Sequence, residues 1–550
     1  MGEAKEQIHD QTNLLTGAKL LIVFAALALA LLVTYIDQNS IAVALPTIGQ
    51  ELNSSSTIVW AGTSALIANT SFQVLYGRLS DILGRKVILI TCLGLLALGD
   101  LLCSFSRTGT QLYAFRGISG LANGGIMALT MMVVSDITTL EQRGKYQGIL
   151  GSCVGLGNTI GPLLAAAFTN NVTWRATFYF IAPLAVAVGV ILYFLLPPQI
   201  IPPEPAMVKI KKIDWVGIVL SSGGTILLLI PISGIGTQFA ANSPMVIAML
   251  TIGAVFLVAF VVNEWKFARL PMFPLRLWRN PALAAMLTQN FLIGIVFYSV
   301  LYMLPIYFQT AHQLDLLTSA ALLVPIVIPQ AVASALSGQY ISRFKRYGEV
   351  LWAGYICWVI GTGLHFLFTQ SFPVGAIVPI LMVEGAGVGL VFQPTLVAAQ
   401  AHSPKADRAV VISARNFIRA LGGSAGLAIA SAIFSKTVIS HLPSDIPSAL
   451  STRIRTSIFE APDVSGLTDD QKYRLLDAYV AAMRAVFSVW VAAMGICLML
   501  MLLIRDKGLS RAEEKKKSPE ESGSDAAGVA SAAATQETIQ AMERAEKSAG

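Results

Sequence analysis

The chain has 550 residues, 55% of them hydrophobic and only 13% charged, with a formal net charge of +7. Soluble domains carry roughly 25% charged residues, so the composition excludes a water-soluble globular protein. The cations fall in short loops between apolar runs, which is a pattern of membrane orientation and not of nucleic-acid binding.

A membrane-spanning helix needs about 20 apolar residues. Taken in chain order, about fourteen segments meet that length: roughly 18–47, 57–77, 86–106, 110–134, 146–169, 175–197, 214–234, 244–264, 283–309, 318–341, 349–369, 374–399, 409–438 and 481–504. The fold class they predict is an all-α polytopic membrane protein. Residues 1–17 form a polar N-terminal tail, and the run that follows is too long for a signal-peptide core and holds Asp37.

An even number of spans puts both termini on one side. The loops on that side carry Arg85 and Lys86; Arg143 and Lys145; Lys209, Lys211 and Lys212; Lys266, Arg269, Arg276 and Arg279; Arg343, Lys345 and Arg346; Lys405 and Arg408. The opposite short loops carry little beyond Arg107 and Arg175. This positive-inside pattern predicts cytoplasmic termini. The long, mixed-charge segment 439–480 is placed outside. Two glycosylation sequons, at Asn53 and Asn171, fall in predicted external loops. The stretch 507–550 lacks large apolar side chains and reads as a disordered cytoplasmic tail.

Chemistry-bearing groups are few. Cys92, Cys103, Cys153, Cys357 and Cys497 show no metal-ligand spacing and read as small core residues. His312, His365, His402 and His441 are scattered, and no phosphate-binding loop, zinc-protease motif or nucleophile elbow is present. Neither an enzyme nor a cofactor nor a metal site is expected.

Ionisable groups inside the spans carry more information. Gly77-Arg78-Leu79-Ser80-Asp81-Ile82-Leu83-Gly84-Arg85-Lys86 packs an acid and three cations into a tight loop. Asp81 there can latch a helix end to Arg78 and Arg85, or the loop can be a plain basic turn that fixes topology. Arg116 lies within an apolar run, where an arginine costs about 2.5–3.5 kcal/mol on insertion scales. It faces a cavity or an acid, or it snorkels to the interface. Asp37, late in the first span, is a proton-site candidate with Arg116 as its partner, the alternative being a static buried pair. Glu384 is a second intramembrane acid. In the fifth span Gly157-x-x-x-Gly161-Pro162 allows close helix contact and a bend. Asn39, Gln73, Gln289, Asn290, Tyr298, Tyr302 and Gln393 are cavity candidates, with Asn69, Gln330, Arg415, Asn416 and Arg419 also polar within spans. Interhelical hydrogen bonding is an equal alternative for each. Gly338 to Arg346 weakly repeats the Gly77 loop at the corresponding place in the second half, with Ser342 where the first half has Asp81.

The chain resembles the major facilitator superfamily, specifically its fourteen-span drug:proton antiporter branch of fungal type. The resemblance is carried by Asp37 to Pro46, Trp60 to Lys86, Leu112 to Gly125, Gly157 to Pro162, Trp174-Arg175-x-x-Phe178, Leu304 to Gln309, and Phe392 to Gly423. It implies two six-helix bundles, 18–197 and 283–504, joined through a cytoplasmic linker 198–213 and two inserted helices within 214–264. It also implies alternating access with proton-driven export of small amphipathic or toxic organic compounds across the plasma membrane by a monomer, with protons, substrate and lipid as its only partners. By this resemblance Asp37 and Arg116 serve proton coupling, Asp81 and Arg85 serve gating, and Gly157, Gly161 and Pro162 form an antiporter hinge. Glu384 joins the proton-coupling candidates as an intramembrane acid, and Gly77, Arg78, Gly84 and Lys86 join the gating loop by position. Ala165-Ala166 stands where the exporter signature ends in paired glycine. A vacuolar carrier of basic amino acids and a non-transporting membrane sensor are the competing readings.

Overall fold

The computed structural model describes residues 14–508 apart from 55–56, 199–204, 235–238, 240–242, 269, 405–406, 444, 457 and 460. Nearly all of the tail 507–550 therefore lies outside the described residues, as do residues 199–204 of the linker 198–213. The regular elements among the described residues are helices, as the composition predicts. Thirteen of them are long and apolar enough to cross a membrane, and the chain is an integral multi-pass membrane protein.

The first six crossings are α1 (Gly17–Glu51), the pair α2 (Trp60–Phe72) and α3 (Leu75–Leu83), α4 (Arg85–Ser104), α5 (Gly109–Ile137), α6 (Leu140–Asn171) and α7 (Arg175–Leu195). The pair α2 and α3 is the predicted span 57–77, broken near Gln73, so the fourteenth crossing is split and escapes the thirteen. The side chains of Thr70 and Ser71 donate to the carbonyls of Leu66 and Ile67 four residues back, and Gln73 N bonds Thr70 O in a three-residue turn. Such side-chain bonds compete with the helix ladder and bend it.

A short linker helix α8 (Ala206–Lys212) leads to the inserted pair α9 (Trp215–Gly234) and α10 (Pro244–Lys266). The pair sits against α2 and α16, where Ser222 Oγ donates to Ser71 O at 3.2 Å. Glu264, near the end of α10, accepts the backbone N–H groups of Met272 and Phe273 and so fixes the return of the chain.

The second bundle consists of α11 (Pro281–Thr310), α13 (Val324–Phe344), α14 (Gly348–Leu364), α15 (Val374–Ala401), α16 (Arg408–His441) and α18 (Asp469–Leu500), with short helices α12 (Leu316–Ala321) and α17 (Ser448–Thr456) between them. The last span was expected to start near 481. The helix starts at Asp469 because Thr468 and Gln471 form a reciprocal capping box. Hydropathy senses lipid contact, not the turns that project into water, so the predicted loop 439–480 shrinks to the stretch between His441 and Asp469.

α1 begins beside the end of α5, where Leu15 N donates to Ile137 O. Asp81, Arg85, Arg143 and Lys345 share that end of the molecule, called the basic end below. At the opposite end the carboxylate of Glu51, beyond the first span, takes Trp174 Nε1 at 2.6 Å and the guanidinium of Arg175. Partial burial pushes Glu51 up, and the Arg175 and Trp174 bonds outweigh it, so its carboxyl sits below the ordinary 4.5. A depressed folded value contributes stability above the unfolded value and loses it as pH falls through the folded one. The stability gap between wild type and Glu51→Gln is therefore expected at neutral pH and to vanish in acid. Melting curves of both proteins from pH 7 to about pH 3 read this directly, and a gap that widened in acid would contradict it.

Candidate functional site

Close approach of α2 to α5 builds the first cluster. A Cβ on Gly120 would collide with the Ala65 backbone, and one on Gly124 would lie 2.7 Å from Asn69 O. These glycines bring α5 tight enough for Arg116 to reach α1. Arg116 Nη1 donates to Asp37 Oδ1 at 2.6 Å, and Asn123 Nδ2 donates to Asp37 Oδ2 at 2.6 Å. Arg116 Nε points at Ala61 O at 3.4 Å, and the guanidinium lies over the Phe178 ring at 5.7 Å. Both Arg116 and Asp37 are fully buried, so Arg116 does not snorkel.

A third ionisable group joins them. Asp100 of α4 lies 3.8 Å from Arg116 Nη1 and accepts Ser119 Oγ at 2.8 Å. Sequence reading passed over Asp100 because it sits near the predicted end of its segment, where an acid could reach water. The available signal was an acid inside an apolar run with Arg116 in the next span. Taking an ion out of water costs several kcal/mol even after relaxation, so two acids and one base held together in a dry interior form a charged unit that needs a functional reason.

The Gly157–Pro162 motif packs beside Asp37, against its neighbours Tyr35, Ile36 and Ser40. A Cβ on Gly157 would meet Tyr35 Cβ at 2.6 Å, and one on Gly161 would meet Ile36 O at 2.9 Å. The motif thus seats α6 on the turn of α1 that carries Asp37. α6 runs unbroken through Pro162. Asn39 on the next turn bridges to Asn158 Oδ1 at 2.9 Å.

The loop Gly77–Lys86 closes the basic end. Gly84 has φ +97°, a left-handed value that favours glycine and separates α3 from α4. Asp81 lies between Arg78 Nη1 at 3.4 Å and Arg85 Nη1 at 3.0 Å, with its side chain 6% exposed. Arg85 also pairs with Asp136 of α5. Arg78 extends the network to Pro271 O at 2.7 Å and to Asp407 of the second bundle at 3.8 Å, and Arg276 reaches Asp407 at 2.5 Å. Lys86 donates to Leu196 O at 2.7 Å. Asp136 and Asp407 were not anticipated, because their spacing from the loop in sequence gives no clue to contact. A Cβ on Gly77 would lie 2.8 Å from Ser413 Oγ, so this glycine is the point where α3 meets α16.

Inter-bundle contacts continue along α6 and α13. Ser152 Oγ donates to Ala331 O at 2.6 Å and Ser334 Oγ to Gly148 O at 3.2 Å. Gln400 of α15 bonds Ser135 Oγ at 2.9 Å and Arg143 at 3.5 Å, and Lys345 pairs with Glu141 at 2.5 Å. The void between α6, α13 and α15, lined by Gly151, Gln330, Ser334, Phe392 and Gln393, has a volume of about 10 Å³. That is room for one water at most, so the basic end is shut. A Cβ on Gly338 would run into Gly144 O and lie 2.9 Å from Gly148 Cα. Gly338→Val is therefore expected to hold the bundles apart there, since backbone atoms cannot move aside. Thiol labelling of a cysteine placed at Ser334 should rise in parallel, and unchanged labelling would sink the idea.

On the other side of that void lies a second polar cluster. Arg415 and Arg419, one helical turn apart on α16, project to one face. Arg415 donates to Phe392 O and lies 3.3 Å from Asn416 Oδ1, while Arg419 stacks over the Phe392 ring at 4.9 Å. Tyr35 of α1 and Tyr298 of α11 share their field. Among the described residues no carboxylate pairs with either arginine.

The remaining candidates divide. Gln393 lines the void. Gln73 is buried at the α2–α3 break. Gln289 donates to Cys497 O of α18 at 2.8 Å and Asn290 to Met286 O of its own helix at 2.7 Å. Both amide nitrogens are bonded within the second bundle, the hydrogen-bonding role that stood as the alternative for them. Tyr302 is exposed. Glu384 is 1% exposed and lies 3.2 Å from His365, whose ring packs against Phe487 and Trp490. The structure thus joins Asp37 to Arg116 and sets Glu384 apart, in a pocket of its own inside the second bundle. Asn53 and Asn171 are both exposed.

Two helical bundles meeting at a polar midline, with a buried ionic cluster in one of them, define a secondary transporter. The family model of the major facilitator superfamily matches residues 27–427, and the chain belongs to that superfamily. It is 47% identical over 532 residues to "Citrate exporter 1" of Yarrowia lipolytica, covering 95% of this chain and 79% of that protein. It is 35% identical to "MFS-type transporter clz4" of Cochliobolus lunatus over 91% of this chain and 88% of that one. With "Efflux pump dotC" of Dothistroma septosporum it shares 33% identity over 72% of this chain and 68% of that one. Among solved structures, the proton:xylose symporter XylE overlays with a TM-score of 0.60 at 12% identity, covering 91% of this chain and 99% of that one. The human organic anion transporter MFSD10 overlays with a TM-score of 0.57 at 15% identity, covering 88% and 100%. At these identities the overlays speak to fold alone.

Proposed function

We propose that the chain is a proton-coupled exporter of small organic polycarboxylate anions, working by alternating access. The carrying observation is the pair Arg415 and Arg419, set within a membrane span with no carboxylate partner among the described residues. Two adjacent cations in a low-dielectric cavity repel one another, and an anionic cargo with two or more carboxylates relieves that repulsion while supplying acceptors for both. The name of the citrate exporter relative supports the same class. A carrier of lysine or arginine is disfavoured, because its cargo would meet like charge, and because Asp37 is committed to Arg116 and Asn123 while Glu384 is buried inside the second bundle.

In this reading the Asp81 network latches the basic end, which faces the cytoplasm by the positive-inside pattern. Asp37 and Arg116 belong to proton coupling, and the Gly157–Pro162 motif transmits movement of α6 to Asp37. The protein acts as a monomer in the plasma membrane. Export of amphipathic toxic compounds is the second reading. It draws on the exposed Tyr302 beside Tyr298 and on the name of the efflux pump relative.

The test is flux in sealed liposomes holding the full chain, with an imposed pH gradient. Citrate, a hydrophobic dye and lysine are offered separately. Gradient-dependent citrate movement supports the proposal. Movement of the dye alone would replace it with toxin efflux, and lysine flux would overturn it.

A further inference from the structure

We propose that Asp100 is the residue that takes up and releases the driving proton, with Asp37 as the lasting ionised partner of Arg116. This rests on the proton-coupled reading above. The two acids are equally buried, and neither has access to water in this conformation, but they are held very differently. Both oxygens of Asp37 accept strong donors, Oδ1 from the Arg116 guanidinium and Oδ2 from the Asn123 amide. Both oxygens of this carboxyl are thus satisfied by donors, one of them charged. Asp100 receives only the Ser119 hydroxyl on Oδ1, and its Oδ2 has no hydrogen-bond partner. A buried carboxylate with one bare oxygen is the costly form, and the neutral acid is the form this setting fits.

Charge counting agrees. With both acids ionised the cluster would carry a net negative charge in a sealed interior, and one bound proton neutralises it. The groups facing Asp100 are Asp37 from α1, Arg116 and Ser119 from α5, and Cys103 on its own helix. α7, which also packs on α4, brings the uncharged Phe178 ring to the cluster. Arg116 Nη1 already lies 3.8 Å from Asp100 Oδ1, and Nη2 has no hydrogen-bond partner. When the proton leaves Asp100, the guanidinium is close enough to take the new carboxylate. The exchange balances without any co-reactant. A hydronium ion at one membrane face gives its proton to Asp100 and leaves water, and at the other face water receives the proton back.

The test uses full-length protein in liposomes with citrate as probe and two measurements. The first is the ratio of citrate flux with and without an imposed pH gradient. The second is citrate–citrate exchange at equal pH, which needs no net proton movement. In Asp100→Asn the gradient ratio should fall to about one, its uncoupled limit, while exchange continues at a rate comparable to wild type. A purely structural role would lower both. A gradient ratio equal to wild type, or loss of exchange along with it, overturns the inference. If wild type itself ignored the gradient, the proton-coupled reading would fall instead. Where Asp100→Asn does not fold, the infrared carbonyl band of a protonated carboxyl in wild type supplies the check. Asp100→Glu should shift that band, and an unshifted band would place the proton elsewhere.

Discussion

Replacing Arg419 by glutamine is expected to raise the apparent KM for a tricarboxylate by roughly tenfold to a hundredfold, the range for losing a charge-assisted hydrogen bond of about 1.5–3 kcal/mol. Arg419→Lys keeps the charge but loses the planar fork and the stacking on Phe392, so it should lie between the two. Arg415→Gln should do more damage, because Arg415 also ties α16 to the Phe392 carbonyl of α15. The concentration dependence of citrate flux measures all three. A KM unchanged in Arg419→Gln, with folded protein in the membrane, would remove the anion assignment and leave toxin efflux as the better reading.

Arg116→Gln should be the most damaging change in the first bundle. Removing one partner of a buried pair costs about 3–5 kcal/mol, and here it strands two acids, Asp37 and Asp100, at the same spot. Asp37→Asn should cost less, because Asp100, already 3.8 Å away, can pair with Arg116 in its place. Thermal melts of the two variants in detergent test the ranking. Asp37→Asn melting below Arg116→Gln would mean that Asp100 does not share the guanidinium. Asp37→Asn combined with Arg116→Gln should recover part of the loss, since the pair is then removed as a unit.

The number and order of spans were legible because lipid demands long apolar runs and short basic loops, and both survive in one sequence. The Gly77–Lys86 loop and the Asp37–Arg116 pairing were legible for a related reason. An ion inside an apolar span stands out, and it needs a partner. What sequence could not supply was rotation about each helix axis. Gln289 and Asn290 look as polar as Gln393, yet only Gln393 turns toward the other bundle. Asp100 was hidden by its position along the span, and nothing in the neighbourhood of Glu384 reveals His365 at the end of the adjoining helix α14. The break at Gln73 depends on side-chain bonds to the preceding turn, which span-length rules ignore. The early start of α18 depends on a cap that lies in water.

The seam between α6 and α13 is made largely of bare main chain, with Gly144, Gly148, Gly151 and Gly155 facing Gly338, Ser334 and Ala331. Surfaces of this kind have almost no rotamers to freeze when they come together, and none to release when they part. In the proposed alternating cycle each movement therefore carries little conformational entropy, so its two ends can stay close in free energy and turnover need not climb steeply with temperature. The same bareness makes the seam intolerant of drift. A single added methyl there acts as a wedge, while the lipid-facing sides of the same two helices are free to vary.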